Sequence, residues 1–455
     1  MRKLFLFFLL TSQVAFGQDQ DSVLIRKIYD EALDRGQSYE NLRSLCKDIG
    51  ARLTGSAGAE MSVYWGENKM KAYGFDKVYL QEFEAPHWER GTKEAAWIKN
   101  KKGEIKKVEV LALGGSVGTK GLLNGEIVEF ETLEDLKEAD ERAVEGKIVF
   151  LSQAMDDKQI LTFNAYGRCY PNRGLGAVEA ARKGALAVVI RSLGFPVDEY
   201  PHTGSLIYND EVKRIPGAAL STQDAELLTN WLKQGKVELL LEMNCKDLGS
   251  AVTYNVIGEI TGTSKKDEII TVGGHLDSWD VGEGAHDDGA GMMHSLEALR
   301  ILKELDYQPR HTLRVVFFMN EENGDMGGSS YARFAAEAGE KHVAAIESDR
   351  GGFSPLGFDI NNGSPSFLEK VKEVAQILKP YELYHFENGY AGTDIDPLKQ
   401  FYPEIVLFEI APDSQRYFDF HHTAADVFEN VNKRELEMGC ASMAAMLYLI
   451  DQKLF

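Results

Sequence analysis

Ile269–Gly291 reads IITVGGHLDSWDVGEGAHDDGAG, and this stretch decides how the rest of the chain is understood. Ile269–Val272 is a β-branched run with the pattern of a buried strand, and Gly273-Gly274 end it. His275 and Asp277 follow. After a glycine-rich loop, Asp287-Asp288 lead through Gly289-Ala290-Gly291 into a segment where Met293, Leu296, Leu299, Leu302 and Leu305 recur at helical spacing. One imidazole thus follows a strand and one carboxylate precedes a helix, the region of an open α/β sheet where sites form. Together they form half of a metal site, with Asp277 placed to orient the imidazole of His275. Alone, the stretch is also compatible with a solvated acidic loop.

Three further apolar runs settle that choice. Leu313–Met319 leads to Asn320-Glu321-Glu322, His342–Ile346 to Glu347-Ser348-Asp349, and Ile405–Ile410 through a short loop to His421-His422-Thr423. If these strands are parallel, their acids and imidazoles converge above one edge of the sheet. The converging donors are nitrogen and carboxylate with no thiolate, a set that suits zinc and also cobalt or manganese. Paired metals roughly 3.5–4 Å apart need a shared carboxylate. Glu321 and Glu322 are neighbours whose side chains diverge, so one can bind metal while the other handles a proton.

The composition is that of a folded protein: 455 residues, 44% hydrophobic and 27% charged. A formal net charge of -21 argues against nucleic acid as a partner. Met1–Gln18 has a basic start, a short apolar run and small residues at a cleavage position, so residues 1–17 are expected to be a signal peptide. The mature protein is then periplasmic or secreted, with no membrane span. The four cysteines form no C-x-x-C pair; Cys169 with Cys245 is open as a disulfide, and so are four free thiols.

Two helices are expected over Asp21–Gly50, a third over Glu60–Tyr73, and strands over Lys77–Phe83 and Ala95–Lys99. Near Gly114-Gly115 the character changes. Strands at Ile127–Phe130, Lys147–Leu151, Ala185–Ile190 and Pro216–Leu220, with helices at Ala177–Lys183 and Thr222–Gln234, read as an inserted β-rich domain over 116–249. Residues 18–115 and 250–455 then form one α/β domain with a mostly parallel central sheet and helices on both faces.

The motifs HLDSWDVGEGAHDDGAG, NEENGDMGG, ESDRGG, GTDIDPL and FHHTAAD, with the early RLTGS and HWERG, resemble the zinc exopeptidases of the aminopeptidase Y and carboxypeptidase Q family over nearly all of the mature chain. The resemblance implies the di-zinc exopeptidase fold and two zinc ions bridged by Asp287. One zinc would be completed by His275 and Asp349, the other by Glu322 and His422. It implies Glu321 as general base, Asp277 behind His275, and a cis Asp287-Asp288 peptide. The inserted block resembles a protease-associated domain.

Of the adjacent histidines, His422 precedes Thr423 as the family ligand does. His421 stands where related enzymes carry a tyrosine, and is expected to contact substrate. His286 reads as loop structure and His294 as a packed helix residue. Asp394 is a candidate reader of a substrate amino group. Arg350 is a weaker candidate for a carboxylate and reads better as a structural charge.

The implied reaction is hydrolysis of terminal peptide bonds in dipeptides or short peptides, with aminopeptidase, carboxypeptidase and dipeptidase outcomes all open. A homodimer is also left open. The alternatives are a single-zinc glutaminyl cyclase-like acyltransferase and a non-catalytic receptor-like binding protein.

Overall fold

The structure, a computed structural model, describes residues 20–455. The expected signal peptide lies outside the described residues. Two eight-stranded sheets organise the chain. In the main sheet the order is β1 (Lys77–Glu89), β10 (Lys246–Ile260), β12 (His311–Phe318), β11 (Lys265–His275), β13 (Lys341–Glu347), β16 (Val406–Pro412), β14 (Pro355–Asn361) and β15 (His385–Asn388). The four central strands β12, β11, β13 and β16 are mutually parallel, as expected. Antiparallel pairing enters at β1/β10, β10/β12 and β14/β16.

The central strands are apolar on both faces, because helices cover both. Leu313, Val315 and Phe317 of β12 enter one core with Ile270, Val272, Ile346 and Phe408. The alternate residues Val316 and Phe318 enter another, with Ala345, Leu407 and Tyr331. Helices Ala290–Glu304 and Lys433–Leu449 fill the first core, and helix Met326–Glu337 closes the second.

The second sheet is ordered β3 (Ile105–Val108), β2 (Glu94–Asn100), β9 (Val237–Met243), β5 (Leu123–Phe130), β6 (Ile148–Leu151), β7 (Ala187–Arg191), β8 (Gly217–Leu220) and β4 (Val110–Ala112). It too is buried on both sides: Ile148 and Phe150 face one cluster, Val149 and Leu151 the other. The chain leaves the main sheet at the end of β1 and returns in β10, with Glu89 paired to Lys246, so the second sheet sits within a long antiparallel hairpin.

The strands of this sheet span 94–243, not 116–249. Ala95–Lys99 has the same alternation as a main-sheet strand, and only its pairing with β9 assigns it. At the other end, Lys246 already belongs to the main sheet. The expected helix at 177–183 is the last part of a longer one, Thr162–Arg182, whose internal Pro171 and scattered glycines obscure it in the sequence. All four cysteines are free and buried, so Cys169 and Cys245 are not bridged.

Residues of the main half pack into the cores of the second sheet. Leu53, Trp88 and Trp279 join one cluster, and Phe353, Tyr417 and Phe418 the other. The tightest junction is Gly114 against Trp279, where a Cβ would come within 1.9 Å of the indole. We predict that Gly114→Val forces Trp279 out of place and costs about 1–3 kcal/mol, as overpacking does. An unchanged denaturation midpoint, with unchanged tryptophan fluorescence, would show that this contact yields freely.

Candidate metal centre

Each central strand delivers its side chain at the same edge. His275 is the last residue of β11, not a residue beyond it. Glu321 and Glu322 follow β12, Asp349 follows β13, and His422 follows β16 after the short helix Tyr417–Phe420. Because β12, β11, β13 and β16 are adjacent, these residues meet. Asn320 (φ 76°) and His422 (φ 62°) adopt the left-handed backbone that turns the chain at this edge.

Asp287 lies at the centre, 5% exposed. Its Oδ1 is 3.1 Å from His275 Nε2, and its Oδ2 is 3.3 Å from His422 Nε2. Asp349 Oδ1 approaches His275 Nε2 at 3.3 Å, and Glu322 Oε2 approaches His422 Nε2 at 3.1 Å. His275 Nδ1 sits 3.0 Å from the Asp277 carbonyl, which can only accept, so Nδ1 carries the proton and Nε2 presents a lone pair. The Thr203 carbonyl, 3.3 Å from His422 Nδ1, does the same for the second imidazole.

Lone pairs and carboxylates therefore face one another and require positive charge between them. The hydrogen-bond accounting agrees: Asp287 Oδ2, Glu322 Oε1 and Asp349 Oδ1 are buried without hydrogen-bond partners. His275, Asp287 and Asp349 bring one donor atom each within 4.8 Å of one another, as do Asp287, His421 and His422. A nitrogen and carboxylate donor set of this kind fits zinc.

The electrostatics carry the same demand. Burial alone depresses an imidazole, yet Asp349 and Asp287 hold His275 well above its ordinary value. Glu322 and Asp287 raise His422 to about 9 against the same burial penalty. Burial pushes Asp287 up, but its close contacts with the two imidazoles outweigh that and hold it well below the carboxylate range. Glu322 is raised to about 7, by burial first and Asp287 second. Glu321 is raised well above its ordinary value by burial, with Asp349, Glu322 and Asp394 adding repulsion. Protons supply the missing positive charge until a dication displaces them.

A layer of residues behind the donors fixes their positions. Asp277 accepts the amides of Asn320 (2.8 Å) and Glu321 (3.1 Å), which ties the β11 and β12 ends together. Asp288 accepts the amides of His275 and Gly291, both at 3.0 Å, and the Asp287-Asp288 peptide is cis. Asp426 accepts the amides of His286 (2.7 Å) and Asp287 (3.1 Å). Arg52, in RLTGS, is fully buried and donates to the carbonyls of Gly50, Leu276, Glu283 and Gly284, clamping the glycine-rich loop.

The remaining histidines sort clearly. His421 stacks on His422 at 3.5 Å, but its Nε2 is 3.9 Å from Asp287, farther than that of His422. His286 stacks with Phe353 and Phe420; it accepts from the Gly352 amide and donates to the Asn430 carbonyl. His294 is buried on its helix beside the Ser348 hydroxyl. Arg350 is committed to Asp359 and Glu409. Asp394 is 1% exposed, and both its oxygens lack hydrogen-bond partners. Its loop is held by Glu347, which accepts the amides of Asp394 and Ile395.

The sequence missed Asp288, Asp426 and the contribution of the second sheet. Asp426, four residues after His422, had a local signal in its spacing. Thr203 and Arg173 had none, since they lie more than two hundred residues before the histidine they touch.

A model of peptidase family M28 matches residues 255–447. Carboxypeptidase Q from Bos taurus is 33% identical over 96% of this chain and 89% of its own length. The chain belongs to peptidase family M28. Among solved structures, a peptidase M28 precursor from Shewanella amazonensis SB2B is similar with a TM-score of 0.90 and 33% identity, covering 96% of this chain and 97% of that one. BSAP, a zinc aminopeptidase from Bacillus subtilis, shares the fold at a TM-score of 0.65 and 21% identity, over 91% of this chain and 94% of its own. As an M28 peptidase with carboxypeptidase Q as its curated relative, the chain is a metallo-exopeptidase. Among the described residues, no helix is long and apolar enough to cross a membrane.

Metal binding to this M28 centre should stabilise the fold by mass action. After chelator treatment, zinc at one hundred times its dissociation constant should add about 2.7 kcal/mol. Calorimetric melting with and without zinc measures this, and an unshifted transition would refute the centre.

Proposed function

We propose that this M28 peptidase is a secreted or periplasmic di-zinc exopeptidase acting on dipeptides or short peptides. The observation that carries the reading is Asp287, whose two oxygens face different imidazoles, each accompanied by its own carboxylate. In this reading Asp287 would be shared by both zinc ions, His275 and Asp349 would hold one, and Glu322 and His422 would hold the other. The bound ions supply Lewis-acid chemistry, acidifying a water and polarising the scissile carbonyl.

Glu321 takes the proton of the attacking water at its carboxylate and passes it to the leaving amine. Its proton affinity, raised by burial, favours the first of these transfers. Asp277 fixes the Glu321 backbone through the amide it accepts, so the base stays beside the ligands. Asp394 offers two unpartnered carboxylate oxygens to a substrate ammonium. His421, stacked on His422, stands beside the bridging carboxylate as a substrate contact.

The second sheet acts in this reading as an inserted, protease-associated-like unit that covers one side of the site. Its support is the set of contacts it makes there. Ser205 Oγ donates to the Glu322 carbonyl at 2.6 Å, and Thr203 meets His422 through both its amide and its carbonyl.

The roles of the adjacent glutamates separate by experiment. Glu321→Gln should keep two metals per chain while kcat falls roughly 10²–10⁴-fold with little change in KM. Glu322→Gln should weaken one metal, and Asp287→Ala should lose both. Metal analysis beside kinetics on dipeptides with free and blocked ends decides the matter. Two metals retained in Asp287→Ala, or near-normal kcat in Glu321→Gln, would defeat the mechanism.

A further inference from the structure

Among the described residues, the arginines buried or nearly so around the two sheets all have carboxylate or carbonyl partners, with one exception. Arg52 donates to four carbonyls. Arg90 pairs with Asp280 and Glu94, Arg300 with Glu31 and Glu297, Arg314 with Glu259 and Glu340, and Arg350 with Asp359 and Glu409. Arg173 is the exception. It lies on helix Thr162–Arg182, is only 4% exposed, and has no carboxylate partner among the described residues.

The guanidinium of Arg173 has spent little of its capacity. Nη2 donates to Tyr166 Oη at 2.6 Å, and Nη1 is 3.5 Å from His422 Nδ1, at the limit of a hydrogen bond. That ring nitrogen has a closer acceptor in the Thr203 carbonyl. Nε has no partner at all. An arginine carries five N–H donors, so most of the fork is unused. Tyr166 accepts from Arg173 and keeps its own hydroxyl hydrogen to donate.

The setting is built to hold the charge in place. The guanidinium packs over the rings of Tyr166 and Tyr170 at 5.4 and 5.1 Å. Gly204 lies against it, where a Cβ would come within 2.4 Å of Nη1. Tyr166 in turn meets the ring of His421 edge-on at 5.2 Å. A buried, unpaired cation is costly unless an anion reaches it. It stands beside His422, and among the described residues no carboxylate is paired with it.

We propose that Arg173, with Tyr166, binds the α-carboxylate at the C-terminal end of the substrate, which makes Arg173 a specificity-determining residue. This rests on the exopeptidase reading given above. The planar fork matches a carboxylate in two parallel bonds, and the phenol adds a third donor. With Arg350 committed elsewhere, Arg173 is, among the described residues, the buried cation near the centre without a carboxylate partner. Asp394 and Arg173 would then read opposite ends of one short peptide, and substrates with a free C-terminus close to the scissile bond would be preferred.

The test compares alanyl-leucine with alanyl-leucinamide on the zinc-loaded enzyme. Wild type should favour the free acid in kcat/KM. Arg173→Gln should lower the acid-to-amide ratio by ~10–100-fold, the scale of hydrogen bonds to a charged group. Arg173→Lys should restore part of the ratio, and Tyr166→Phe should lower it ~2–10-fold through the loss of a neutral donor. A ratio near one in wild type overturns the proposal. So does an Arg173→Gln variant in which both substrates slow together at constant ratio, the result expected if Arg173 only props His422.

A second readout is independent of turnover: calorimetric titration of the metal-free protein with leucine and with leucinamide. Wild type should bind leucine more tightly than Arg173→Gln does, and leucinamide should not distinguish them. Equal leucine binding by both proteins overturns the proposal. If zinc-loaded wild type hydrolyses neither peptide, the exopeptidase reading fails, and the titration alone judges the carboxylate site.

Discussion

Asp287 is a buried carboxylate held between two imidazoles, and every neighbouring feature follows from the charge this arrangement requires. Asp349 and Glu322 bring further buried oxygens to the same imidazoles. Such a concentration of acid in a low-dielectric interior cannot persist as anions without compensating positive charge. Protons on His275 and His422 meet that need in the metal-free protein, which is why both imidazoles are raised despite complete burial. A bound dication would meet it better than protons do, because it carries more charge into the same space.

The fold supplies rigidity where this charge is stored. Three of the four central strands end directly in or close to a donor, and the sheet fixes their spacing more firmly than loops would. Behind them, Asp277, Asp288 and Asp426 spend their carboxylates on backbone amides. These acids orient the donors and do not compete for the cation. Arg52 anchors the glycine-rich loop by four carbonyl contacts, so the loop carrying Trp279 and Asp287 has a fixed path despite Gly282, Gly284, Gly289 and Gly291.

The second sheet belongs to the chemistry as much as to the architecture. Its Thr203 carbonyl sets the tautomer of His422, and its Ser205 holds the backbone of Glu322. Arg90 joins the two halves from the other side, pairing with Asp280 of the site loop while donating to the Ala112 carbonyl. One face of the metal centre is therefore completed by residues that the chain inserts within a single hairpin of the main sheet.

The sequence by itself determined the central strands, the parallel arrangement and the convergence of His275, Asp287, Glu322, Asp349 and His422 at one edge. Each donor follows an apolar run with a strong period, and four such runs in succession leave little freedom in how they assemble. It also separated His286 and His294 from this edge, since His286 stacks with aromatic rings and His294 is buried beside Ser348. The limits of the second sheet were not legible, because Glu94–Asn100 alternates like any strand and only its partner β9 tells which sheet it joins. Nor were the roles of Arg173, Thr203 and Asp426. A donor or acceptor acquires its function from what lies across a fold, and those neighbours are up to 249 residues distant in the chain. Periodicity records which face of an element is buried; only the tertiary structure decides what that face meets.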